Sequence, residues 1–364
     1  MLLAVAATAT ISCENGINEE PIGGVGGDVN FAEVTLTAGK PAVVRTEMDG
    51  QNPYWSVGDQ IGVYITQGDN AGNYALTNDA TERTTTTTFT GTTALANRLY
   101  VYYPYSTNGI TEKGAKVDIP SMQNPTATSF DGAADIMIAK PVQLDAEGKQ
   151  LSELEFARLG AIAKIVLKDA TSALAGQHLS SLTMTAESNL TGCVYLDAEN
   201  QQLGELHEGQ SKSVNATYTA DTQFEVNGTN AVYAIVYPQT LASGQTLTIE
   251  AATEEHLISK TITLQEDIVF ESGKITTLDV TIKAEHFGEL YFSGGKGTEE
   301  SPYRIASVED LQTLSTYVAN SINDDSFAPF KTAHYIQVAD IDFENGTHSS
   351  IGNSNATAPY SFFC

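Results

Sequence analysis

The chain has 364 residues, 41% of them apolar, enough to build real cores in two or three domains. Eighteen Lys and Arg stand against 45 Asp and Glu, and the resulting net charge of −27 excludes a nucleic-acid partner, because phosphate binding needs clustered cations. The acids are spread along the chain and read as a solvated surface.

In chain order, MLLAVAATATISC (1–13) is apolar but shorter than the ~20 residues a membrane span needs. No basic residue precedes it, so the start falls inside a longer signal peptide. The run Thr10-Ile11-Ser12-Cys13 resembles a bacterial lipobox, which makes Cys13 the lipidated residue; the competing reading is an ordinary signal peptide with a chance cysteine. Residues 14–30, ENGINEEPIGGVGGDVN, are polar, Gly-rich and acidic, the composition of a flexible tether. Acidic residues soon after the cysteine resemble surface-export signals of Bacteroidetes lipoproteins. One lipid would anchor the protein to the outer membrane without a span.

From Phe31 onward short β-branched or aromatic runs dominate, among them Val34–Leu36, Ile61–Ile65, Leu99–Tyr103, Ala161–Leu167, Val232–Tyr237 and Ile275–Ile282. Gly, Asn, Asp, Ser or Pro punctuates them, the pattern of all-β sandwiches. LYVYYPYS (99–106) and YAIVYPQT (233–240) both end a strand at Tyr-Pro, which favours two tandem sandwiches, 31–148 and 149–284, divided near the polar cluster 145–149. Within YWSVGDQIGVY (54–64), Gly58-Asp59 reads as a turn feeding a strand. Ile61, Val63 and Ile65 should face the core, the Trp55 indole needs an acceptor, and Gly62 should allow another backbone to approach. In the third region, 285–364, Ser307 looks like a helix N-cap, with Leu311, Leu314 and Val318 on one helical face. A strand follows at His334–Phe343, and the region looks too short to enclose its own core.

Chemistry-bearing patterns fail on inspection. The three cysteines, Cys13, Cys193 and Cys364, lie far apart with no CxxC, which argues against a disulfide framework; Cys193 reads as a small buried hydrophobe. The six histidines form neither HExxH nor an i, i+4 pair, so no zinc site is expected. In GGKGT (294–298) Gly297 separates the lysine from the threonine that a phosphate loop requires next. In the stretch from Asp340, Asn345 and Ile351 occupy the positions where an EF-hand needs Gly and Glu. No Gly-x-Ser-x-Gly elbow occurs. The expectation is no catalytic residue, no cofactor, no metal and no enzyme.

Arg45-Thr46, YWSVGDQIGVY, VYYPYS, FDGAADIMIA (130–139) and LEFARLGAIAKIVL (154–167) follow one another in an order that resembles the fimbrillin family of Bacteroidetes surface proteins. Trp55, Gly58, Asp59, Ile61, Gly62 and Val63, backed by Tyr103 and Pro104, carry the likeness. The resemblance implies two transthyretin-like β-sandwiches, a lipoprotein precursor, and assembly in which a neighbour's strand fills a groove after proteolysis. By it, Arg45 is the candidate cleavage site. A plain surface arginine is the favoured reading, because cleavage there would remove the strand AEVTLTAG. The tail, through Gly295, Gly297, Thr298, Tyr303, Asp310 and Ile351-Gly352, is similar to the first turns of GLUG-type parallel β-helix adhesins. The expected protein is a fimbrial tip or accessory subunit that mediates adhesion, anchored at the outer membrane, with other subunits and a surface protein or glycan as partners. The alternative is a surface lipoprotein that binds a ligand and never polymerises.

Overall fold

The computed structural model describes residues 31–39, 54–65, 71–94, 96, 98–111, 114–144, 150, 154–288, 291–299, 301–320 and 327–342. The first eight principal strands are β1 (Phe31–Gly39), β2 (Gln60–Ile65), β3 (Gly72–Asn78), β4 (Thr86–Ala94), β5 (Arg98–Tyr103), β6 (Gly114–Ile119), β7 (Met137–Ala139) and β8 (Leu154–Arg158). All but β6 join one ladder in the order β5–β2–β3–β4–β1–β8–β7, and β7 pairs back onto β5. The circuit is therefore closed. Every pairing in it is antiparallel except β1–β8. Period-two alternation fills its interior: Val34, Leu36 and Ala38 from β1, Ile61, Val63 and Ile65 from β2, and Leu99, Val101 and Tyr103 from β5 surround Trp55 and Phe89.

Eight further strands follow: β9 (Ala161–Asp169), β10 (Ser181–Ala186), β11 (Thr191–Asp197), β12 (Ser213–Thr217), β13 (Val232–Val236), β14 (Thr246–Ala252), β15 (Leu257–Thr263) and β16 (Ile275–Ile282). β9 sits between β13 and β16, antiparallel to the first and parallel to the second. This sheet packs on a second one in which β15, β14, β10 and β12 are neighbours, and Ile165 and Val280 meet Met184, Val214 and Ile249 between them.

The other face of β9 and β13 is buried too. Ile162, Val166, Tyr233 and Ile235 pack against Val117 of β6, Val194 and Leu196 of β11, and Tyr64 and Tyr102 of the first circuit. Burial on both faces explains why AIAKIVL reads as a nearly unbroken apolar run rather than an alternation. Gln123 closes the β13 edge with a side chain: its amide accepts from the Ile235 N–H at 2.8 Å and donates to the Ile235 carbonyl at 2.7 Å. Strand pairing crosses the expected boundary at 148/149 in both directions. β8 returns to the first circuit, while β6 leaves it to pair with β11.

A buried ion pair sits where β7 and β8 meet. The Arg158 guanidinium binds the Asp135 carboxylate through Nε and through Nη2 (2.8 Å), and lies 5.2 Å from the Phe130 ring. The pair joins FDGAADIMIA to LEFARLG, two segments whose succession is otherwise only a pattern.

The third region has a core after all. Phe292, Tyr303, Ile305, Leu314, Val318 and Phe330 form one apolar cluster around helices α1 (Val308–Asn320) and α2 (Ala328–Thr332). Ser307 caps α1, its hydroxyl accepting from the Asp310 N–H at 3.1 Å. The strand is shorter than expected, Tyr335–Gln337, and pairs in parallel with Tyr303–Ile305. The region is seated on the face of the second sheet. Arg304, only 3% exposed, donates to Thr217 (3.1 Å), Thr183 (2.9 Å) and Asn215 (2.7 Å). Burial lowers its pKa to about 10, and the charge of Glu250 opposes that shift. Lys296 of the GGKGT turn reaches Glu250 at 2.5 Å and Ser259 at 2.7 Å, a structural use of the lysine.

Replacing Asp135 by Ala leaves the Arg158 charge buried without its carboxylate and should cost about 3–5 kcal/mol in equilibrium urea denaturation. The double change Asp135→Leu with Arg158→Met should recover most of that loss.

Candidate functional site

β1 is held by different means on its two sides. β1 pairs with β4 over its whole length, from Phe31↔Ala94 to Gly39↔Thr86. On the other side, among the described residues, Ala38↔Leu154 and Gly39↔Glu155 are in register with β8. Gln150 adds a side-chain clasp there: its Oε1 accepts from the Thr37 N–H at 2.7 Å and its Nε2 faces the Thr37 carbonyl at 3.4 Å. Yet β1 supplies three fully buried side chains, Val34, Leu36 and Ala38. Burying a Val or Leu side chain stabilises by roughly 1.5–3 kcal/mol, so an emptied β1 position would forfeit several kcal/mol and demand a replacement.

The segment 54–64 builds the end wall of this position. Trp55 is fully buried and meets Phe89, Tyr103 and Phe156 edge-on, with ring centroids 4.8, 5.3 and 5.8 Å away. Its indole N–H donates to the Ala38 carbonyl of β1 at 3.2 Å. Trp55 also bridges Thr84 through two backbone hydrogen bonds of 2.7 and 3.1 Å. Gly58, at φ +83°, makes the turn closed by the Asp59 N–H on the Ser56 carbonyl (3.1 Å). The Asp59 carboxylate then accepts from the Ser56 N–H at 2.8 Å and from the Tyr103 hydroxyl at 3.3 Å. Burial, reinforced by the Asp59 charge, raises the Tyr103 pKa far above the usual tyrosine range. Pro104 follows Tyr103 directly, through a cis peptide bond. Gly62 differs from expectation: a side chain, not a backbone, takes its space. A Cβ there would lie 2.1 Å from the ring of Tyr102, its cross-strand partner.

Trp55, Gly58, Asp59, Ile61, Val63 and Tyr103 thus converge on one structural knot beside β1, while Gly62 faces the opposite core against Tyr102. Gln150 and the Asp135–Arg158 pair, which also hold this seam, were not singled out from sequence. Cys13, Arg45, Thr46 and Cys364 lie outside the described residues. Cys193 is fully buried, but its sulfur is in a disulfide, which corrects the reading of a simple buried thiol. The ligand atoms of Cys193, His207 and Glu208 lie within 4.8 Å of one another. With that sulfur in a disulfide no thiolate is present to bind a metal, and His207 stacks on Tyr195 at 4.2 Å.

A family profile described as Fimbrillin-like matches residues 45–296. Among solved structures, a candidate cell adhesion protein from Bacteroides uniformis is 18% identical, with 70% of this chain and 96% of that chain covered and a TM-score of 0.43. A second from Bacteroides ovatus is 15% identical over 72% and 96%, TM-score 0.44. A fimbrial assembly protein from Parabacteroides distasonis is 10% identical over 69% and 92%, TM-score 0.32. At these values the likenesses carry no weight for function. No curated protein sequence matches the chain.

Trp55→Phe keeps the aromatic packing but removes the donor to Ala38. A loss of about 1–2 kcal/mol is expected in thermal denaturation, with faster amide exchange along β1 than along β4's partner β3.

Proposed function

The chain belongs to the fimbrillin-like family, and from that premise we propose that it is a cell-surface fimbrial subunit whose β1 position is the assembly site. The observation that carries this reading is that β1 inserts three buried side chains into the core while pairing fully with β4 on one side and, among the described residues, meeting β8 at Ala38 and Gly39 with a glutamine clasp at Thr37 on the other. Cleavage at Arg45-Thr46 would remove β1 and leave a groove between β4 and β8. A strand from a neighbouring subunit with apolar residues at alternate positions would restore the core by β-augmentation. Anchoring before assembly would use a lipid on Cys13. The C-terminal region, seated through Arg304 and Lys296, would serve adhesion as a tip or accessory module, the beginning of a GLUG-type β-helix. The chemistry is binding and assembly rather than catalysis.

The closed circuit favours a second reading, a surface lipoprotein that retains β1, binds a ligand and does not polymerise. One experiment separates the two. Under the assembly reading, mass spectrometry of surface-exposed protein finds Thr46 as the mature N-terminus, and unboiled samples run as an oligomer ladder that Arg45→Ala abolishes. Trp55 is the only tryptophan, so its emission should shift to longer wavelength when β1 is removed and return when a strand refills the groove. A mature chain that keeps lipidated Cys13 and gives no ladder would overturn the assembly reading.

A further inference from the structure

A cleft of about 360 Å³ opens where the C-terminal region meets the second sheet. One wall comes from loops at the end of that sheet: Ser180 before β10, Gln223, and Thr253 with Glu254 between β14 and β15. The other comes from Tyr291 to Ser293 and from Asp310 in the first turn of α1. The two walls are fixed relative to each other by the Arg304 and Lys296 contacts, so the cleft is preformed.

Its chemistry is selective. No Lys or Arg lines it among the described residues, and two carboxylates do, so an anionic ligand is disfavoured. The carboxylates are themselves engaged. Glu254 accepts from the His178 N–H at 2.7 Å and faces His178 Nδ1 at 3.0 Å. Asp310 Oδ2 accepts from the Ser293 hydroxyl at 2.6 Å and the Ala306 N–H at 2.8 Å. The Ser180 and Thr253 hydroxyls likewise donate to the Ala252 carbonyl (3.0 Å) and the Gln177 side chain (2.9 Å), so the hydroxyls offer a ligand acceptor lone pairs, beside the half-buried amide of Gln223. Tyr291 adds an aromatic surface, 39% exposed and held edge-on by Phe330 at 5.1 Å and by Tyr317 at 6.3 Å.

We propose that this cleft binds an uncharged saccharide, with Tyr291 covering the apolar face of one sugar ring and Gln223 and the hydroxyls pairing with its hydroxyl groups. The site rests on the adhesive part of the reading above but not on assembly. The two carboxylates keep their charge, so an organic cation is the competing occupant that the test must separate.

Fluorescently labelled full chain on an array of neutral and sialylated oligosaccharides tests the assignment. Retention on at least one neutral class is expected, with at least a tenfold loss for Tyr291→Ala, retention by Tyr291→Phe and weakening by Gln223→Ala. Melting temperatures check that each variant is folded. Three results would overturn the proposal: no neutral glycan retained, retention of sialylated glycans alone, or unchanged retention by a folded Tyr291→Ala. Displacement of bound glycan by choline at micromolar concentration would point to a cation site and sink it as well. The oligomer ladder is read separately, so lost glycan binding with an intact ladder refutes this site and leaves the assembly reading standing.

Discussion

Everything in this molecule is positioned by a layer that has water on neither side. β9 and β13 present Ala163, Ile165 and Val236 to one core and Ile162, Val166 and Ile235 to another. A sheet buried on both faces cannot shift register without sending every side chain into the wrong core. That constraint fixes the first circuit against the second body, because the second of these cores also contains Tyr64 and Tyr102. The pairing of β6 with β11 and the insertion of β8 into the first circuit stitch the same junction with backbone hydrogen bonds. The two halves are therefore one interleaved structure.

Cations are scarce in a chain of net charge −27, and their placement is informative. Arg158 and Arg304 are both nearly fully buried, each in a seat of specific acceptors. Arg158 faces a carboxylate, Arg304 mostly neutral hydroxyl and amide oxygens. Buried charges of this kind contribute more to uniqueness of packing than to raw stability, since desolvation offsets much of the attraction. One locks β7 to β8, and the other locks the C-terminal region to the second sheet.

The strands were legible because their period-two patterns are local. Ile61, Val63 and Ile65 declare a face without reference to any other segment, and the Ser307 cap declares a helix start in the same way. Closure of the first circuit was not legible. It depends on β7 meeting β5, and on a three-residue strand that no periodicity can reveal. The destination of β6 was hidden for a related reason: sequence proximity suggested the first domain, while burial of Val117 and Ile119 is satisfied only beside β11. The role of Gln150 was invisible because a polar side chain that substitutes for backbone pairing carries no composition signal. The core of the third region was underestimated because its aromatic residues, Phe292, Tyr303 and Phe330, are scattered along the chain and converge only in space.

The closed circuit also bears on how such a chain survives in a crowded compartment. A strand with unpaired N–H and C=O groups is a template for indiscriminate pairing, and proteins with exposed edges aggregate edge to edge. With β1 in place, its whole length is paired with β4, and Ala38 and Gly39 with Gln150 cover part of its other edge among the described residues. Held in this way by a piece of its own chain, the sheet would become a template only where β1 left it, so in the proposed assembly the capacity to recruit another strand would belong to the vacancy rather than to the folded protein.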